Sequence, residues 1–399
     1  IWKRNSQNMV LKTELEQVDG PPMSEWKAGK KVTVSYKFKI PDFVASEKYI
    51  AQLDVSTVRI TNIEIMNNKL IKATKVTNDI SKNTIKAEMK EYNGTQAIFI
   101  NGELHPIMSY VAPLTGAIYT ETKSTEYMHD AGLCITRIWT DCGAHSDRLS
   151  WWTGEDKYDW SILDQMVYAA LSDHEDTYLI VSLRMGAPTW WQEANPGECV
   201  LTSKGDTPGE SFFSEKLVND AIKASIAMIE HMKEQPYWNR IVGAVLNGCR
   251  NSEWMWYGEG QFAIDYSEAG QNAWKEWVKE EYQTDAALQE AWNDKSVTLD
   301  TVEIPEFFEE SGSIGYDTLL DPSCQKDVLD YARCMEEREA EVLIKFAGAV
   351  TEEVDDNWII GAYYGYLYTR VFYYDAVRRI HSAVDLVLDD PNVDFLAAP

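Results

Sequence analysis

From about residue 93 onward the chain repeats one kind of unit, and that repetition limits the folds open to it. Each unit is a short apolar run followed by ten or more residues with helical spacing. The apolar runs lie within AIFINGELHPIMSYVAP (97–113) and at Cys134–Thr140, Tyr178–Leu183, Ile241–Val245, Trp358–Tyr363 and Val393–Ala397. Between them the spacing predicts helices over Thr120–Ala131, Asp159–Ser172, Ser214–Glu234, Gln325–Val354 and around Asp375–Ala383. Asp159 and Ser214 are the expected N-caps of their helices, and Ile162, Leu163, Met166 and Val167 form an apolar face. Apolar strands joined by helices pair in parallel. Two architectures then compete. A doubly wound open sheet would usually offer a glycine-rich phosphate turn, and the sequence has none. The reading is an α/β chain with a (β/α)8 TIM-type barrel, incomplete, with six strands present and the seventh expected beyond Pro399.

The first 92 residues are built differently. KVTVSYKFKI (31–40) alternates, with Val32, Val34, Tyr36, Phe38 and Ile40 on one face, and Pro41 closes the run. Shorter runs follow at Val58–Ile60, Ile63–Ile65, Leu70–Val76 and Ile85–Met89, separated by Asn- and Lys-rich turns. Residues 1–92 therefore read as a small all-β, sandwich-like accessory domain, and 93–399 as the barrel. Asn101-Gly102 is the expected turn of a hairpin at the start of the barrel.

Charge narrows the partners. Lys+Arg 37 against Asp+Glu 64 leaves a net charge of −27, which repels nucleic acid and anionic membranes and favours neutral ligands such as uncharged glycans. No stretch reaches the roughly 18 apolar residues of a membrane span. The six cysteines (134, 142, 199, 249, 324 and 334) show neither CxxC nor Cys/His metal spacing, and Cys134 and Cys249 are expected to be buried free thiols. They do not decide between an exported and a cytoplasmic protein. His105, His129, His145, His174, His231 and His381 are scattered, so no metal and no cofactor are expected.

Active residues of a barrel stand at the C-terminal ends of its strands. Arg137 and Asp141 follow the second strand, Trp190 and Trp191 the third, and Tyr364 and Tyr366 the fifth. The fourth is the richest: IVGAVLNGCRNSEWMWYG (241–258) turns from a buried strand to Asn247, Arg250, Asn251 and Glu253 amid Trp254, Trp256 and Tyr257. A carboxyl in a partly dry pocket has its pKa raised towards the working pH, as acid–base catalysis requires, while aromatic faces can stack on a sugar ring. Glu253 is therefore the candidate general acid/base, against a loop Glu beside core aromatics.

One of Trp190 and Trp191 is expected to be a sugar platform and the other core, since adjacent residues point opposite ways; Trp254 and Trp256 are weighed similarly. Tyr364 and Tyr366 share one side of the chain, facing either the barrel mouth or the core. Asn195 and Glu198 belong to the site or to its rim. Glu259 reads as part of a solvated turn, and Glu309-Glu310, Glu336–Glu339 and Glu352–Asp356 as solvated helix faces.

With these residues in view, the stretch from about Phe99 to Pro399 resembles the clan A glycoside hydrolases, and most closely the β-galactosidases of family 42 or a near relative. INGELHPIMSY resembles the start of strand one and APTWWQEANPGE the strand-three loop. SFFSEKLVNDAI and IVGAVLNGCRNSEWMWYG resemble the helix and strand that bring in the acid/base. In AWKEWVKEEYQTDAALQEAW, Trp274, Trp277, Tyr282, Leu288 and Trp292 stand where the family keeps an apolar face. IIGAYYGYLY and PNVDFLAAP resemble strands five and six.

The resemblance implies a retaining mechanism with two carboxylates about 5–5.5 Å apart. Glu253 takes the acid/base position, and the nucleophile, at the end of strand seven, falls beyond this sequence. Arg137 stands where clan members often keep an Arg that supports the nucleophile; a structural ion pair is the other reading. One departure is plain. The clan usually has Asn directly before the acid/base, to bind the sugar 2-hydroxyl, whereas here Ser252 precedes Glu253. Asn247 or Asn251 is left for that task. The substrate implied is an oligosaccharide or glycoside, and many relatives form homo-oligomers. A related β-glycosidase of other sugar specificity, or a non-catalytic glycan-binding protein on a degenerate barrel, are the alternatives. Residues 1–399 alone are expected to be poorly soluble or inactive, because uncovered sheet edges are left.

Overall fold

The computed structural model describes residues 2–3, 16–21, 25, 35–37, 48–52, 59–64, 85–106, 108–111, 123–140, 151–173, 176–202, 205, 207, 209, 211–248, 253–254, 264–305, 321–366 and 381–397. Its centre is a sheet of six strands: β1 (Tyr110–Val111), β2 (Ile135–Ile138), β3 (Tyr178–Arg184), β4 (Ile241–Asn247), β5 (Ile359–Ala362) and β6 (Phe395–Leu396). Each strand pairs in parallel with the next in the chain. A doubly wound sheet reverses its strand order at a switch point; this one never does. With helices between the strands, it fits an incomplete (β/α)8 barrel. Close strand approach requires Gly361, where an added Cβ would lie 2.3 Å from the Phe395 carbonyl oxygen.

The helices among the described residues are α1 (Lys123–Asp130), α2 (Ser161–Asp173), α3 (Thr189–Ala194), α4 (Glu215–Lys233), α5 (Glu268–Tyr282), α6 (Asp285–Trp292), α7 (Lys326–Glu353) and α8 (Val384–Leu388). Ser214 caps α4 by accepting from the Leu217 amide at 2.9 Å, and Asp159 accepts from the Ser161 amide at 3.0 Å before α2. The aromatic face expected in 274–292 is present. Trp274 and Leu288 are fully buried, and Asp330 of α7 accepts from Tyr282 and Trp292.

Alternation along the strands sorts side chains into two layers. Leu179, Val181, Leu183, Ala244, Leu246, Ile360 and Ala362 face the helices in the larger core. Ile135, Ile180, Val242, Val245 and Ile359 point the other way, where they meet Ile85, Ala87, Ile98 and Ile100. Ala87, Ile98 and Ile100 belong to an antiparallel meander of Ala87–Tyr92, Thr95–Ile100 and Glu103–His105, and Ile85 just precedes it. Its turns, Asn93-Gly94 and Asn101-Gly102, have φ of 53° and 81°, then 51° and 84°, the both-positive pattern of tight hairpins. The division expected at residue 92 thus falls inside a hairpin, where Tyr92 pairs with Thr95. Further upstream the described residues form short antiparallel strands only, among them Lys48–Gln52 against Arg59–Glu64; Leu70–Val76 lies outside the described residues.

One sequence expectation fails, and another lies mostly outside the described residues: of the helix expected around Asp375–Ala383 only 381–383 are described, where His381 has a left-handed φ of 57° ahead of helix α8 at Val384. The run Glu336–Glu339 is no solvated face: Glu336 and Glu339 are 4% and 1% exposed on the buried side of α7. Glu352, Asp355 and Asp356 are exposed as expected, and Glu309-Glu310 lies outside the described residues.

Candidate active site

At the C-terminal ends of the strands, the inward-facing residues change from aliphatic to polar. Arg137 of β2, Ser182 of β3, Asn247 of β4 and Tyr363, just past β5, form one layer. The Arg137 guanidinium, 1% exposed, donates to Tyr363 Oη at 2.8 Å, to Asn247 Oδ1 at 3.1 Å and to Ser182 Oγ at 3.1 and 3.2 Å. It also lies over the rings of Trp139, 4.1 Å from the centroid, and Tyr363, 4.8 Å away. A planar fork with several donors suits this three-sided setting, and a lysine could not reproduce it. A fixed positive charge is thereby held in the sheet's interior.

Glu253 stands beside this layer. Its backbone forms an isolated parallel bridge with Tyr363, which returns the loop after β4 to the edge of the sheet. The carboxyl is half-buried, and burial raises its pKa above the usual carboxylate range. Tyr366 is near enough for the Glu253 charge to matter: burial first, and that charge among the further causes, raise the Tyr366 hydroxyl's pKa. Asn251, Arg250, Ser252, Trp256, Tyr257, Glu259 and Asp141 lie outside the described residues.

Trp254 corrects an expectation. It is fully buried, donates from Nε1 to the Leu246 carbonyl at 2.9 Å and stacks on Phe212 at 5.7 Å. A sugar cannot reach such a ring. It anchors the residue next to Glu253, and Gly248 makes room for it: a Cβ there would lie 2.9 Å from Trp254 Cα. Tyr364 is likewise core, 2% exposed and stacked on His381 at 4.1 Å; it points to the helices because Tyr363 points inward.

Of the strand-three pair, Trp191 is buried and donates to Asp220 at 2.8 Å, whereas Trp190 is partly exposed, donates to the Trp152 carbonyl at 2.8 Å and meets Trp152 edge-on. Trp190 is therefore the one left with a face at the surface. Asn195 caps α3 by donating to the Trp191 carbonyl, and Glu198 accepts from Ser214 at 2.6 Å, so both are structural. Residue types alone do not mark Ser182, Trp139 or His381 as members of this region. Tyr363 carried a usable signal, since Ile359, Gly361 and Tyr363 alternate on one face. Cys134 is a partly buried free thiol, and Cys249 lies outside the described residues. Among the described residues no His/Cys/Asp/Glu group could hold a metal ion, and no helix is long and apolar enough to cross a membrane.

Among solved structures, the catalytic domain of a β-amylase from Paenibacillus polymyxa superposes with a TM-score of 0.53 at 15% identity, over 72% of this chain and 74% of that one. That likeness supports the barrel fold. A β-galactosidase from Bacillus circulans sp. alkalophilus gives a TM-score of 0.47 at 17% identity over 65% of this chain. One from the psychrophilic Marinomonas ef1 gives 0.46 at 16% over 63%. The chain spans 36% of the length of each of these two galactosidases. No curated protein matches in sequence. A family model does: residues 149–389, more than half of the chain and including β3 to β5 and Glu253, match glycoside hydrolase family 42, described as beta-galactosidase, and the chain belongs to that family.

Proposed function

We propose that the protein is a retaining glycoside hydrolase that removes terminal β-linked neutral sugars, as a β-galactosidase does. Glu253 is its general acid/base, and its nucleophile sits on a seventh strand beyond residue 399. The observation that carries this reading is the placement of Glu253. It is half-buried, with its pKa raised by burial, beside the Arg137–Asn247–Tyr363 layer at the C-terminal edge of a parallel sheet.

In the first step Glu253 gives its proton to the glycosidic oxygen while the nucleophile attacks the anomeric carbon. The carbon–oxygen bond breaks and a glycosyl ester forms. In the second step the Glu253 carboxylate takes a proton from water, whose oxygen displaces the ester and frees the sugar. Burial keeps the acid form populated at higher pH, which the first step requires. Arg137 supplies positive charge beneath the reacting centre, and Asn247 spends its Oδ1 on holding that guanidinium. Trp190, Tyr366 and Asn251 are the proposed sugar contacts, and the substrate is an oligosaccharide or aryl glycoside.

The test uses the whole gene product that contains residues 1–399, assayed on aryl β-galactosides and aryl β-glucosides. E253Q is expected to lose roughly 10²–10⁴ of the turnover of a poorly activated substrate while still binding it. Turnover unchanged in E253Q would remove Glu253 from the mechanism. Galactoside binding with no turnover in the wild type would mark a glycan-binding protein instead.

A further inference from the structure

Behind Glu253, on the helix side of the sheet, lies a buried polar cluster that the proposed chemistry does not use. Its centre is His381, fully buried. Nδ1 accepts a hydrogen bond from the Tyr366 amide at 3.0 Å, so Nδ1 carries no proton. The ring proton is therefore on Nε2, which donates to the Trp254 carbonyl. The ring stacks on Tyr364 at 4.1 Å and lies against Tyr366 at 5.2 Å. Two carboxyls of α7 lie close by. Glu339 Oε1 is 3.7 Å from Nε2, too far for a hydrogen bond, and Glu336 accepts from the Ser382 amide at 2.6 Å.

One imidazole thus joins two loops. The Trp254 carbonyl belongs to the residue after the proposed acid/base, and the Tyr366 amide to the residue whose hydroxyl feels the Glu253 charge. The backbone of His381 sits at a φ of 57°, a region uncommon for non-glycine residues although histidine enters it more readily than most. Such conformations persist where the surroundings over-determine them, and they cluster at functional sites. Burial alone demands a partner for each ring nitrogen; what is particular here is that the two partners belong to the segments that flank one carboxyl.

We propose that His381 is a positioning residue: a clamp, in its Nε2-protonated tautomer, that fixes the acid/base loop at Trp254 to the strand-five loop at Tyr366 and so sets where the Glu253 carboxyl stands. The proposal rests on the reading of Glu253 as the acid. It assigns His381 no contact with the substrate.

The experiment compares phenyl and 2,4-dinitrophenyl β-galactosides in the whole gene product. The first leaving group needs a proton from the acid and the second does not. H381N tolerates the left-handed backbone but cannot reach the Trp254 carbonyl. It is expected to lose roughly tenfold to a hundredfold in kcat/KM on the phenyl substrate, as a small misplacement of a catalytic group does. On the dinitrophenyl substrate the loss should be several times smaller. H381Q, which can donate at the Nε2 position, should recover much of the phenyl activity. Should H381N not fold, H381F, which keeps the ring stack and loses both bonds, gives the same comparison. Equal losses on both substrates, or none on either, would overturn the clamp. E253Q run in parallel separates the two ideas: without a leaving-group split in E253Q the acid assignment falls, and with one in E253Q but not at His381 only the clamp falls.

Discussion

Tyr363 and Tyr364 are neighbours in sequence and live in different worlds. Tyr363 points into the sheet's interior, where its hydroxyl accepts from Arg137 at 2.8 Å. Tyr364 points to the helices, where its hydroxyl has no hydrogen-bond partner among the described residues, although it is 2% exposed. Around the first, a permanent cation is surrounded by oxygen acceptors and aromatic faces. Around the second, an imidazole with both ring nitrogens bonded packs beside carboxyls, and Glu339 Oε1 has no hydrogen-bond partner among the described residues. A guanidinium cannot shed its charge, so its layer has to be fully satisfied. A carboxyl can take up a proton, so its cluster can sit drier. Burial, and then the charge of Glu336, push the Glu339 pKa well above the usual carboxylate range.

The largest test of this contrast is R137M. It removes the donor that Ser182 Oγ, Asn247 Oδ1 and Tyr363 Oη accept from inside the sheet, at about 1–3 kcal/mol for each group left unpaired. Denaturant unfolding should show a lowered midpoint; an unchanged one would mean that water reaches the layer. The next effect depends on pH. A carboxyl whose folded pKa exceeds its unfolded one adds stability below the unfolded value, near 4.5, and loses it as pH rises through the folded one. Wild-type stability should therefore fall from weakly acidic to alkaline pH, and E339Q should flatten that slope in thermal melts taken across the range. A parallel slope in E339Q would show that Glu339 is ionised in the folded protein.

The tyrosines give the smallest and cleanest comparison. Y363F removes an acceptor from a charged donor and should cost about 1.5–3 kcal/mol. Y364F removes a hydroxyl that has no partner among the described residues and should stay within about 0.5 kcal/mol of wild type. Equal effects of the two substitutions would erase the distinction.

Much of this was legible from residue types, because strand and helix periods report directly on which faces are buried. The apolar runs at Tyr178–Leu183 and Ile241–Val245 became β3 and β4, and Ser214 caps α4 as its sequence suggests. What stayed hidden was burial that runs against residue chemistry. Glu336 and Glu339 look like any acidic helix surface, and only the packing of α7 against the strand-five loop encloses them. His381 gave no local signal either, since its partners, Trp254 and Tyr366, are joined to it by tertiary contact alone. Trp254 departs from its sequence expectation for a simpler reason. An aromatic beside an acid suggests a sugar platform, yet in an extended segment the neighbour of an inward residue points outward. That rule was available for the pair at 253–254, as it was for Trp190 and Trp191.

The meander at residues 87–105 carries a consequence for the order in which the chain folds. Ala87 pairs with Ile100 through a turn only a few residues away, whereas Gly243 must find Ile359 across helices α5, α6 and α7. Loop closure costs less for the first, and hairpins form in roughly microseconds. Pulse-labelled hydrogen exchange should protect the amides of Thr95–Ile100 before those of β5. The later strands then add to a surface of Ile98 and Ile100 that already exists, so the meander serves as the template on which slower, long-range pairing is registered.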